Sequence, residues 1–134
     1  MATINAPSLQ DTQYSGEAPL AIAHGYATLA AAAIADKVRL MKLYAGTKIH
    51  DLKFVNAALG ASSTVSIGWE PADGSAGGSP TAFLPATSTA AAGASRSAAA
   101  PVLLPVDAFI TATIGGAAAT GQIDVLPTFE FKGK

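Results

Sequence analysis

The chain has 134 residues, a length that suits a single domain able to remove roughly two-thirds of its unfolded surface from water. Half of its residues are hydrophobic, but 31 of them are alanine, and only 13% are charged, with eight Lys and Arg against nine Asp and Glu. That balance leaves no electrostatic footprint for nucleic acid or an anionic membrane, and the lack of cysteine excludes disulfides, thiolate metal sites and thiol catalysis.

Residues 1–23 are rich in polar groups and chain breakers (Asn5, Pro7, Asp11, Gly16, Pro19), with apolar side chains at no regular period. They read as an extended N-terminal arm. Such an arm recovers its ordering entropy only when something binds it, so Leu9, Tyr14 and Leu20 are the candidate contacts to a neighbouring subunit or shell. No basic segment precedes an apolar stretch here, so no secretory signal is expected and cytoplasmic folding is the default. The uncharged window 18–35 contains Pro19, His24 and Gly25 and is mostly alanine, so it is not expected to span a membrane.

Residues 24–134 read as one β-domain, although 30–33 is locally helix-prone. Residues 37–44 and 48–56, separated by the turn signal Ala45-Gly46-Thr47, predict two adjacent strands. Residues 64–69 alternate, Val65, Ile67 and Trp69 on one face and Thr64, Ser66 and Gly68 on the other, which predicts a half-buried strand. The same period runs through Val106, Ala108, Ile110, Ala112 and Ile114 and again through Ile123, Val125, Pro127, Phe129 and Phe131. With Gly115-Gly116 between them, these two stretches predict a strand pair. Pro127 cannot donate to a ladder, so the last strand is expected at an edge or interrupted there. Residues 71–105 read as loop, with short strands around Phe83 and Leu103. Short strands between Gly and Pro turns imply an all-β jelly roll or related β-sandwich.

Chemistry is hard to assemble from this sequence. The two histidines, His24 and His50, lack metal-binding spacing and read as surface or interface residues. His50 and Asp51 are strand neighbours that should point to opposite faces, a poor dyad. The serine-bearing runs never supply a Gly-x-Ser-x-Gly elbow. The glycine-rich stretch 73–79 lacks the Gly-Lys-Ser/Thr ending of a phosphate loop and reads as a mobile surface loop. Glu70 and Asp73 are too few ligands for calcium. Trp69 reads as a core or interface anchor. No enzyme, cofactor or metal site is expected.

The run at residues 36–49 (DKVRLMKLYAGTKI), continued by 63–69 (STVSIGW) and the Asp-Gly loop, resembles the small head decoration proteins of tailed phages. The similarity covers roughly residues 25–131 and departs in the Ala-rich stretch 86–100. The resemblance implies a jelly-roll or β-sandwich subunit that forms homotrimers on the outer surface of an icosahedral head and bridges neighbouring major capsid protein subunits. It implies no catalytic residue and no cofactor. A second reading, a fibre or lectin-like module that binds a glycan or receptor, would place aromatic platforms on exposed loops. Trp69 and most Phe residues fall instead on predicted strands.

Overall fold

The computed structural model describes residues 20–132. Ten strands follow one another with no helix among them: β1 (Leu20–Ile22), β2 (Gly25–Ala32), β3 (Lys37–Leu43), β4 (Thr47–Asn56), β5 (Thr64–Pro71), β6 (Ser79–Ser88), β7 (Gly93–Arg96), β8 (Val102–Leu103), β9 (Ala108–Gly115) and β10 (Ala119–Phe131). They form two antiparallel sheets. In the larger, β1 and β2 pair with one side of β10, β4 pairs with the other, and β7 and β8 pair with β4. The smaller has the order β3-β9-β5-β6. Counting β1 with β2 and β7 with β8 as single positions gives eight strands, ordered 1-8-3-6 in one sheet and 2-7-4-5 in the other. This is a jelly roll, as the strand and turn signals predict.

Two local expectations are corrected. The strands before and after Ala45-Gly46 do not pair: β3 belongs to the smaller sheet and β4 to the larger. Likewise β9 and β10 lie in different sheets, so Gly115-Gly116 is a crossover and not a hairpin. Alternation and turn residues mark where strands begin and end, but not whether a turn folds a strand back or carries it across the core. The Ala45-Gly46 turn is held by other elements. Gly46 N–H donates to Leu104 O at 2.9 Å, and Gly46 O accepts from Lys132 N at 2.8 Å.

Both sheets send their alternating faces inward. Ile49, Leu52 and Phe54 of β4, Val65 and Ile67 of β5, Ile110 and Ile114 of β9, and Ile123 and Val125 of β10 are all buried. Ile49 and Leu52 are three residues apart, which strict alternation forbids. A β-bulge resolves this: Phe129 of β10 pairs with Ile49 and Thr128 pairs with Asp51, leaving His50 as the extra residue.

Pro127 sits in a central strand, and the ladder beside it is interrupted. Its carbonyl accepts from Ala23 N at 3.2 Å. Its missing N–H therefore faces the seam between β1 and β2, where the chain leaves the ladder at residues 23–24 and no donor is required.

Residues 79–88 form a full strand where only a short one around Phe83 is expected, and this changes β5. Its Ser66 and Gly68 face, expected to meet solvent, is covered. A Cβ on Gly68 would overlap the Ser79 carbonyl oxygen and the Pro80 backbone, so the start of β6 lies directly over this glycine. Gly93, by contrast, has open space around it. Gly68→Ala should therefore destabilise by about 1–3 kcal/mol through overpacking, whereas Gly93→Ala should stay within about 0.5 kcal/mol of wild type. Phe54→Ala should cost about 3–5 kcal/mol. Urea denaturation of the three variants checks the ranking, and a Gly68→Ala protein as stable as Gly93→Ala would contradict the described packing.

Candidate functional site

The outer face of the larger sheet is built on the edge formed by β1 and β2. Leu20 and Ile22 pair with Glu130 and Thr128 of β10, and Tyr26 pairs with Asp124. All three side chains turn away from the core, with 63%, 68% and 66% of their surface exposed. The residues between them are small for a reason. Gly25 and Ala27 face inward, Ala27 against the core, and a Cβ on Gly25 would come within 2.6 Å of Met41 Cε of β3. Near Gly25 large groups can only point outward, whereas farther along β2 Leu29 turns into the core.

One row crosses the whole sheet, Leu20 to Glu130 to Lys48 to Leu103, and begins and ends on an exposed leucine. At its far end a cleft of about 660 Å³ opens beside Leu103, lined by Ala45, Gly46, Ala72, Val106 and Lys42. Asp107 fixes the loops that form it: its carboxylate accepts Ala45 N–H at 2.8 Å and its carbonyl accepts Ala72 N–H at 2.8 Å.

Between these apolar ends the face carries carboxylates with basic partners, and also Lys48 and Lys53, which make no ion pair among the described residues. His24 Nε2 lies 2.8 Å from Asp124 Oδ1, and His50 Nε2 lies 3.1 Å from Glu130 Oε1, which Lys132 Nζ also approaches at 3.3 Å. Asp51 pairs with Arg96 at 3.5 Å instead of with His50. The expected separation of His50 and Asp51 holds, although the bulge and their different partners cause it, not simple alternation. No hydroxyl hydrogen-bonds to either imidazole among the described residues.

Of the arm residues singled out from sequence, Leu20 is in β1 and exposed, while Leu9 and Tyr14 lie outside the described residues. Ile22 and Tyr26 were not anticipated. Their signal is present: large residues at 20, 22 and 26 alternate with Ala or Gly at 21, 23, 25 and 27, a strand whose bulky face is the solvent one. Trp69 is partly buried against the core, as an anchor should be.

The four sheet edges are not equally protected against further pairing. β3 carries Lys37, Arg39 and Lys42, and β6 carries Pro80 and Pro85, both devices that discourage an added strand. β7 ends in Arg96. β1 and β2 hold no charge and no proline.

No protein-family model matches the chain, and no curated protein matches it. Three solved structures share its fold. A chain of the cyanophage Pam1 capsid asymmetric unit is 16% identical, with a TM-score of 0.68 over 97% of this chain and 94% of that one. A chain of the Ralstonia phage GP4 capsid is 15% identical, with a TM-score of 0.66 over 94% and 93%. A chain of the acid-stable capsid of Helicobacter pylori bacteriophage KHP30 is 18% identical, with a TM-score of 0.59 over 84% and 86%. The jelly roll described here is thus a fold found in chains of phage capsids.

Among the described residues, three carboxylates titrate below the ordinary range. Glu70 is held down by hydrogen bonds from Lys37 and then Arg39, Glu130 by those from His50 and then Lys132, and Asp73 by those from Ser75. A carboxylate whose pKa falls on folding stabilises the native state fully above its unfolded value. That contribution is lost as pH drops through the lowered folded value. Glu70→Gln should therefore lower the Tm at pH 7 and flatten the decline of Tm below about pH 4.5, the ordinary Glu value. Parallel acid-side slopes for wild type and Glu70→Gln in thermal melts from pH 7 to 3 would contradict this.

Proposed function

We propose that the protein is a non-enzymatic structural subunit of a phage virion, a homotrimer that decorates the outer surface of the capsid and bridges neighbouring major capsid protein subunits. The observation that carries this reading is the near-complete overlap with a chain of a phage capsid structure. It spans 97% of this chain and 94% of that one. The resemblance of residues 36–49 and 63–69 to head decoration proteins supports the finer assignment.

The unguarded β1–β2 edge, with Leu20, Ile22 and Tyr26 facing out, is the contact surface. Burying one such side chain contributes roughly 1.5–3 kcal/mol, so a few of them support a modest interface. Symmetry repeats that contact around a trimer, and avidity makes the sum strong while each contact stays weak. Leu9 and Tyr14, which precede β1 in the sequence and lie outside the described residues, are proposed as further contacts. The histidines in carboxylate pairs and the chain's low charge suit an assembled surface better than a catalytic one.

Light scattering on the purified protein should give three times 13.3 kDa, and the trimer should cosediment with undecorated phage heads. Leu20→Asp and Ile22→Asp together should leave the melting curve within a few degrees of wild type and reduce pelleting at least tenfold. Deleting residues 1–19 should likewise weaken pelleting more than folding. A monomer that stays in the supernatant, or a double Asp variant that pellets like wild type, would remove the basis for this assignment.

A further inference from the structure

The outer face of the smaller sheet carries a separate recess. Lys37 and Arg39 of β3 pair in register with Thr113 and Thr111 of β9, which pair in turn with Ser66 and Gly68 of β5. Lys37 Nζ and Arg39 Nε each lie 2.7 Å from one oxygen of Glu70. The Arg39 guanidinium sits 4.6 Å over the Phe109 ring, which fixes its plane. The loop between β5 and β6 folds toward this face and closes a recess of about 370 Å³, with Ser75, Gly77 and Gly78 on its far wall.

Two features call for a ligand. First, the donors exceed the acceptors. Lys37 and Arg39 share one carboxylate and use one N–H each on it, so most of their N–H groups and one positive charge are unspent among the described residues. Second, Thr113 Oγ1 is buried, lines this recess and has no hydrogen-bond partner, the only such side-chain atom among the described residues. A buried polar atom left unpaired costs free energy, so Thr113 Oγ1 calls for a partner, a water or a ligand hydroxyl, from the recess side.

We propose that this recess binds an acidic sugar, a hexuronic-acid-type residue of a glycan. The alternative occupant with the same charge, a carboxylate side chain from a protein, fits less well. It would satisfy the Arg39 edge, but it has no hydroxyl to donate to the spare lone pairs of Glu70 or to exchange a hydrogen bond with Thr113. A uronic acid carries both groups: its carboxylate meets the free guanidinium edge of Arg39 as a charge-assisted pair, and its ring hydroxyls bridge Glu70, Lys37 and Thr113. The recess stands independently of the capsid-facing edge, which lies on the other sheet.

The test is titration of the ¹⁵N-labelled full chain with sodium glucuronate, glucose and acetate at matched ionic strength. Glucuronate should shift the amides of residues 37, 77, 78 and 113, and glucose and acetate should bind at least tenfold more weakly. Arg39→Ala, at an exposed side chain whose loss the fold tolerates, should weaken glucuronate about tenfold or more. Thr113→Val should be at least as heat-stable as wild type, because it removes an unpaired buried hydroxyl, yet bind glucuronate about threefold more weakly. Arg96→Ala on the other sheet should change nothing. Acetate binding as tightly as glucuronate would make the recess a plain anion site. Glucose binding equally well would show the charge to be unused, and unshifted recess amides would show no site. Each of these overturns the proposal and leaves head cosedimentation unaffected.

Discussion

The larger sheet depends on β10. It is the longest strand, thirteen residues, and the only element that joins the N-terminal edge to the rest of the sheet. β1 and β2 pair with nothing else in that sheet, so their hydrogen bonds to β10 place Leu20, Ile22 and Tyr26 on the surface. The histidine pairs depend on the same strand, since Asp124 and Glu130 are among its outward-facing residues. A proline in such a strand is tolerated only because its nitrogen faces the break between β1 and β2. The position of that break is thus tied to Pro127: a continuous β1–β2 ladder would need a donor that the proline cannot supply.

The second constraint is a shortage of large side chains. With 31 alanines, the chain has few residues able to exclude much water, and the core uses many of them. Among the described residues, the large apolar groups that remain exposed are Leu20, Ile22, Tyr26, Ile34, Tyr44, Leu103 and Phe131. Scattered exposed leucines need no explanation in an ordinary protein. Here three of the seven lie on one uncharged edge while the other edges carry basic residues or prolines, and that distribution is informative.

Strand positions were legible in the sequence because burial on one face leaves a period of two, and 64–69, 106–114 and 123–131 show it. The pairing of those strands was not. A jelly roll sends most consecutive strands to opposite sheets, so the neighbour in sequence is rarely the neighbour in the ladder, and Ala45-Gly46 and Gly115-Gly116 look the same whether they close a hairpin or a corner. β6 was under-read because Pro80 and Pro85 suggest loop, whereas both are compatible with an edge strand. Of the candidate surface, Leu20 was legible as an apolar residue lacking a local partner. Ile22 and Tyr26 were hidden because their strand inverts the usual pattern, with alanine and glycine inward and bulk outward. That inversion follows from the closeness of β3 and is invisible until Gly25 and Met41 are brought together.

The two outer faces of the sandwich differ in a way that bears on how such a subunit would sit on a shell. The larger sheet offers an apolar edge and a row with a leucine at each end, and its carboxylates Asp51, Asp124 and Glu130 already have basic partners, so docking against that edge has an apolar return. The smaller sheet offers hydroxyls, a surplus of cationic donors and a polar recess, groups that lose most when dehydrated against a flat protein surface. A subunit that buried the second face and exposed the first would incur desolvation costs without an apolar return. In the assembly we propose, the physical chemistry of the faces favours one orientation: the β1–β2–β10–β4 sheet toward protein neighbours, and the β3–β9–β5–β6 sheet toward water and whatever water carries.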